Sequence, residues 1–429
     1  MAPVPDTAPA NGSGDSPRLN PSLPIPPPKT GSPLLDLLAK LSIGLTQLER
    51  RFDPFFRTAF DALLRGPLTD LVTCWINLAR RDEGLALAEE RRMINEDELV
   101  DSIITSFTAQ IRDLWKPGYA ERGGQTKTFG IVRAEFEVHD NLPPEFRHGI
   151  YAKPHTYKAW VRFSGPGPYI TPDIDDVGFM SISVKLMGVP GEKLMPDEKH
   201  TLDLTGGCTP TFVTADLASN ANLQLESLRN AQILHFLNLR NNHVLDLLMQ
   251  ALWTRTQTSP LEVAYFSCVP YLLGPDQAMQ FSFWPKDERR TSVPRLPLRP
   301  PDDYLRQTMA RTLAEKEAAF DVRLQLQRDP HRMPIENAAV YWSERLSPRV
   351  SVATLRISRQ TFDSPSQLAF ARQLSFNPWH TIAEHRPLGN QSRARRRIYS
   401  ELLGLRQRMN RTTPVEPSGD EVFLPSNDC

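Results

Sequence analysis

Arg393-Ala394-Arg395-Arg396-Arg397-Ile398-Tyr399 sets an arginine four residues before a tyrosine, inside a stretch that otherwise reads as helix. Residues four apart share a helix face, so Arg395 is placed to reach the Tyr399 ring oxygen. A free phenol has a pKa near ~10 and binds metals poorly. A guanidinium beside its oxygen favours the phenolate, and ferric iron favours it further. The pair therefore suits a tyrosine that binds iron. The plainer alternative is a basic helix face carrying one buried tyrosine.

Four more segments extend outward from this one. They are RGGQTKTFGIVRAEFEVHDNLP from Arg122, AWVRFSGPGP at 159–168, PDIDDVGFMSISVKLMGVPGEKL at 172–194 and LDLTGGCTPTF at 202–212. With LSFNPWHTIAEHRPLGNQSRARRRIY at 374–399, in this order, they resemble the catalase-like haem proteins. The similarity is greatest to the short branch with minimal catalases and allene oxide synthases, and it spans about 120 to 405.

The resemblance implies haem b, with Tyr399 as the proximal iron ligand and Arg395 as its partner. It makes Arg122 and Arg162 partners of the haem propionates, a role that suits guanidinium forks because they stay charged when buried. Ser164 falls at the serine that supports the distal histidine, and Phe212 at a pocket wall. Two departures follow. The distal histidine position holds Gln125, and the distal asparagine position holds Gly207. An amide can hydrogen-bond but cannot shuttle a proton, so weak or absent hydrogen peroxide dismutation is expected. Lys127, two residues beyond Gln125, is a substitute base if burial lowers its pKa; otherwise it is a surface charge or a contact to a carboxylate.

The expected activity is that of a haem oxidoreductase or isomerase acting on a small organic, possibly fatty-acid, hydroperoxide. The alternative is a non-catalytic haem-binding or haem-free protein on the same barrel. A hydrolase finds little support: there is no GxSxG, Ser164 lacks a local histidine, and Cys208 reads as a small buried hydrophobe.

Fold class is α+β: TFGIVRAEFEV, KAWVRFS, SISVKLMGV, QAMQFSFWP, AAFDVRLQLQ and VSVATLRI alternate apolar and polar residues, predicting a closed antiparallel barrel of about eight strands. Helices are expected over 215–256 and in an N-terminal extension at 33–118, which Pro54 and Gly66-Pro67 divide. Residues 1–32 are Pro-rich and expected to be disordered, 119–408 form the barrel domain, and 409–429 a flexible tail.

Fifty basic residues balance fifty acidic ones, which argues against nucleic acid as a partner. Four scattered cysteines and nine histidines lack zinc or disulfide spacing, His380 and His385 reading as interior or surface histidines of a loop. A cytoplasmic location is expected from the lack of an apolar leader. Leucine and phenylalanine faces over 34–80 predict packing against the barrel or another subunit in a homo-oligomer, or peripheral membrane contact.

Overall fold

The computed structural model describes residues 22–238, 241–287, 289–296 and 299–423. Its centre is a barrel. β1 (Thr128–Val138), β2 (Thr156–Ser164), β3 (Ser181–Leu186) and β4 (Leu202–Gly207) form a continuous antiparallel meander. β5 (Tyr265–Phe266) and β6 (Tyr271–Leu272) are two-residue strands, followed by β7 (Ala278–Pro285), β8 (Ala318–Leu326) and β9 (Val350–Ile357). β9 pairs with β1 on one side and with β8 on the other. β5 bridges β4 and β7 through Gly207↔Phe266 and Phe266↔Ser282, which closes an eight-strand ring and leaves β6 on the edge of β7. Gly206 permits that closure: a Cβ there would lie 2.7 Å from the Phe266 carbonyl oxygen.

Alternation decides what fills the ring. Val132, Ala134, Phe136, Val161, Phe163, Ile182 and Val184 point inward. Phe163 meets Tyr265 and Phe320 at ring separations of 5.9 and 6.2 Å. The opposite face of β2–β4 is polar yet covered, and it carries three cross-strand rows, Ser164–Ser181–Gly207, Arg162–Ser183–Thr205 and Trp160–Lys185–Asp203. In the last row Lys185, fully buried, pairs with Asp203 at 2.7 Å and with Glu198. His380 joins them, 2.9 Å from Asp203 and 3.0 Å from Asp197. Glu198, Asp203 and His380 are the one metal-type ligand group among the described residues, and the Lys185 ammonium already supplies its cation.

Helices surround the barrel. α1 (Pro33–Leu63), α2 (Arg65–Ala79) and α3 (Glu96–Leu114) precede it; α4 (Leu217–Leu228), α5 (Ile233–Phe236) and α6 (Val244–Trp253) follow β4. α7 (Tyr304–Glu315) and α8 (Pro365–Gln373), both unanticipated, cover β1. α9 (Asn390–Asn410) carries the arginine-rich segment.

Three expectations are corrected. Pro54 does not divide α1, because the carbonyl it orphans, that of Arg50, accepts from Thr256 Oγ1 at 2.5 Å. Asp53 receives the adjacent Thr256 N–H at 2.7 Å. Thr256→Val should therefore cost about 1–2 kcal/mol, read by thermal melting; an unchanged melt would show that Pro54 is accommodated without this bond. Residues 22–32 are placed, with Leu23 bridged to Ile170, while 1–21 lie outside the described residues. The tail is likewise anchored. Glu416 accepts from the backbone of Lys199 and His200, and Glu421 from Trp160 Nε1 at 2.8 Å; 424–429 are outside the described residues.

Candidate functional site

α9 is clamped at its start. The Arg393 guanidinium meets Glu90 at 2.7 Å, Glu96 at 2.8 Å and Glu336 at 2.9 Å. Arg396 lies over Trp379, and Arg397 pairs with Asp101. With those arginines fixed, Arg395, Tyr399 and Arg406 fall along one helix face, four and seven residues apart.

Tyr399 is half-buried against an apolar cluster that includes Val100 and Ile103 of α3 and Leu217 and Ala221 of α4. Arg395 shares its face, but its guanidinium stacks on the Phe212 ring, 4.9 Å from the centroid, and donates no hydrogen bond to Tyr399. The expected direct pair is thus corrected to an arginine–phenylalanine stack. The face shared by Arg395 and Tyr399 also borders the buried Tyr271, whose hydroxyl is pushed up to about 12 by burial, with the Arg395 charge opposing. Phe212 is held by its N–H to the Ala338 carbonyl at 2.8 Å.

The second cluster is cationic. Arg162 donates to the Gln125 carbonyl at 2.6 Å and to Thr128 Oγ1 at 2.8 Å. Arg122 donates to the carbonyls of Ala371 at 3.0 Å and Leu374 at 2.6 Å, and its Nη1 has no partner. Arg406 donates to Arg372 and also reaches Leu374. Burial lowers the pKa of all three, that of Arg162 to about 9, and Arg122 is lowered further by repulsion from Arg162 and Arg406. Glu121 is the acid that opposes them, and Arg372 holds it at 2.8 Å. Buried charge without a counter-ion is costly, so this excess suits an anionic ligand. Arg122 and Arg162 are singled out by the sequence; Arg406 is not, since the carbonyls of Arg372 and Leu374 that it meets are brought to it by folding.

The third group lies at the mouth of β1 and β2. Gln125 sits in left-handed backbone at φ +47° and is half-buried. Ser164 is fully buried, and its Oγ has no partner. Register places Gly207 two strands from Ser164, and a Cβ on Gly207 would lie 2.5 Å from the Phe179 ring. Phe179 therefore covers the space that a longer side chain would need.

Lys127 is not a surface charge. It is buried, ion-paired with Asp173 at 2.5 Å, and donates to the carbonyls of Thr171 and Asp302. Asp176 was missed. It closes the acidic run PDIDD, neighbours Gly165 and opens on a small cavity with Phe129, Asp173, Phe179 and Tyr304. Burial pushes its carboxyl up to about 7, within the range of a working acid–base group.

The remaining candidates are inert. Burial raises Cys208 to about 12, which keeps the thiol protonated. His385 is an interior histidine that accepts the Ile150 N–H at 3.0 Å, and burial lowers it to about 4.

No family model and no curated protein sequence matches the chain. Solved structures do. A fungal catalase crystal structure superposes with a TM-score of 0.54 at 14% identity, over 80% of this chain and 70% of its own. Catalase A from Saccharomyces cerevisiae gives 0.53 at 14% identity, over 81% and 74%. The fold is that of the catalases. At this identity the likeness establishes architecture alone, and the catalase-like barrel brings Arg122, Gln125 and Arg162 to one end of β1 and β2.

Proposed function

We propose that the chain binds haem and acts on an organic hydroperoxide, with little activity on hydrogen peroxide. The observation that carries this is the set of three buried guanidiniums, Arg122, Arg162 and Arg406, with an unpartnered donor on Arg122 and Glu121 as the opposing acid. Such a cradle fits a ligand bearing two carboxylates, as haem does, and Tyr399 stands on the same helix as Arg406. When bound, haem would supply a ferric centre able to split an oxygen–oxygen bond, with the Tyr399 oxygen as its protein ligand.

The chain's own residues divide the remaining work. Arg122, Arg162 and Arg406 hold the carboxylates. Arg395, stacked on Phe212, lies on the same helix face as the phenol. Phe212 and Phe179 exclude water from either side. Gln125 can orient an oxygen by hydrogen bonding but cannot take its proton. Asp176 is able to hold a proton near neutrality, yet it stands behind Gly165 rather than in the Gln125 position. Dismutation, which needs a proton moved between two oxygens, is therefore disfavoured relative to rearrangement of an organic peroxide.

The idle Ser164 hydroxyl and the Arg395–Phe212 stack favour the second reading, a non-catalytic haem-binding protein. Haem-loaded protein assayed with a fatty-acid hydroperoxide and with hydrogen peroxide separates the two. Turnover of the first is expected; no turnover of either, in protein that retains a Soret band, would establish the carrier. Gln125→His should raise hydrogen peroxide turnover on the order of 100-fold. Histidine tolerates the left-handed backbone found there, so an unchanged rate would mean that the Gln125 position does not face the reacting oxygens.

A further inference from the structure

α1 is turned inside out. Its charged residues Arg50, Asp53 and Arg57 are buried against the chain, where Arg57 Nη2 donates to the Leu252 carbonyl at 2.5 Å and Asp61 receives Arg255 at 2.7 Å. Its apolar side faces out: Leu34, Leu45, Phe55 and Leu63 are each about two-thirds exposed or more (66%, 67%, 67% and 72%). Trp75 and Leu78 of α2 extend the same exposed character. At 31 residues the helix is about 46 Å long. A face of that length, with leucines and phenylalanines half or more in solvent, is on the order of 1,000 Å², beyond the few hundred normal for a monomer.

We propose that this face lies in the interface of an anionic lipid membrane. Charge selects the occupant. Among exposed residues of 33–64 the polar ones are Lys40 and Thr58. Every acid of α1 is engaged: Asp36 by Thr30, Glu49 by Arg50, Asp53 by Thr256 and Asp61 by Arg57. The exposed Lys29 stands just ahead of the helix. The outward side thus offers apolar depth and the exposed Lys40, while its part-exposed acids Asp36 and Glu49 are tied to Thr30 and Arg50, the combination that seats a helix in acyl chains beside anionic headgroups. A second copy of the chain fits less well, because protein interfaces carry about one hydrogen bond per 100–200 Å² to fix register, and this face has almost no donors or acceptors. No described helix is long and apolar enough to cross a bilayer, so the attachment is one-sided.

This inference does not depend on haem. The test is co-sedimentation of the full chain with phosphatidylcholine vesicles and with phosphatidylcholine vesicles containing one-quarter phosphatidylglycerol. Binding to the anionic vesicles is expected, weakened about tenfold or more by a Leu45→Glu, Phe55→Glu double substitution and several-fold by Lys40→Glu. These positions are exposed, so circular dichroism should be unchanged. Three results would overturn the proposal: no binding to either vesicle, binding indifferent to the substitutions, or a dimer in light scattering that the double substitution dissolves without any vesicle binding by the parent chain. The last would make the face a contact between copies.

Discussion

Tyr399→Phe is expected to remove the phenolate charge-transfer absorption of haem-loaded protein and to weaken haem retention by more than the roughly 10- to 100-fold typical of losing a supporting partner of a metal ligand. The prediction tests a single atom. Tyr399 is half-buried and packs against the apolar cluster between α3, α4 and α9, a position that phenylalanine also fills. Stability should consequently stay within about 0.5 kcal/mol, as for a substitution outside the named destabilising mechanisms. A spectrum of reconstituted Tyr399→Phe identical to that of the parent would remove Tyr399 from the iron and the proposed function with it. Haem lost together with a lowered melting temperature would instead show that the hydroxyl contributes to the stability of the fold.

Lys185→Met should give the largest loss of stability, about 3–5 kcal/mol, because it leaves buried carboxylates without their cation. Lys185 is fully buried between Glu198 and Asp203. Once it is gone, His380 is the cation left to face Asp197, Glu198 and Asp203. Burial works against a charged His380, but hydrogen bonds to Asp197 and Asp203 prevail and raise its pKa to about 9. A raised histidine stabilises fully below its unfolded value near ~6.5 and loses that contribution as pH climbs through the folded value. The parent should therefore lose stability between about pH 6.5 and 9, and Lys185→Met more steeply. Thermal melts across that range check both. A flat parent profile would mean that His380 is neutral throughout, and a melting temperature unchanged in Lys185→Met would mean that the cluster relaxes or hydrates freely.

The barrel was legible because a strand's two-residue period writes its inner face directly into the chain: Val132, Ala134 and Phe136 alternate with Arg133 and Glu135, and the structure keeps that split. The candidate site was legible in part. Local spacing and segment order singled out Arg122, Arg162, Arg395 and Tyr399 as candidates, and Gln125 and Gly207 as departures within them. Arg406 and Asp176 were not, since the partners that give them meaning, Leu374 and Gly165, are brought to them only by folding. The same holds for Lys127, whose surface reading failed on Asp173, 46 residues away.

Sequence alone determined which residues share a face: the alternation of the strands, the Arg395–Tyr399 spacing and the leucine stripe of α1. Tertiary structure decided which way each face turns and what meets it. α1 shows why. Helical periodicity groups Leu34, Leu45 and Phe55 apart from Arg50, Asp53 and Arg57, but the free energy of burial depends on the partners offered. The segment at 252–256 offers carbonyls and N–H groups to the charged side, so that side is buried and the apolar one is left outside.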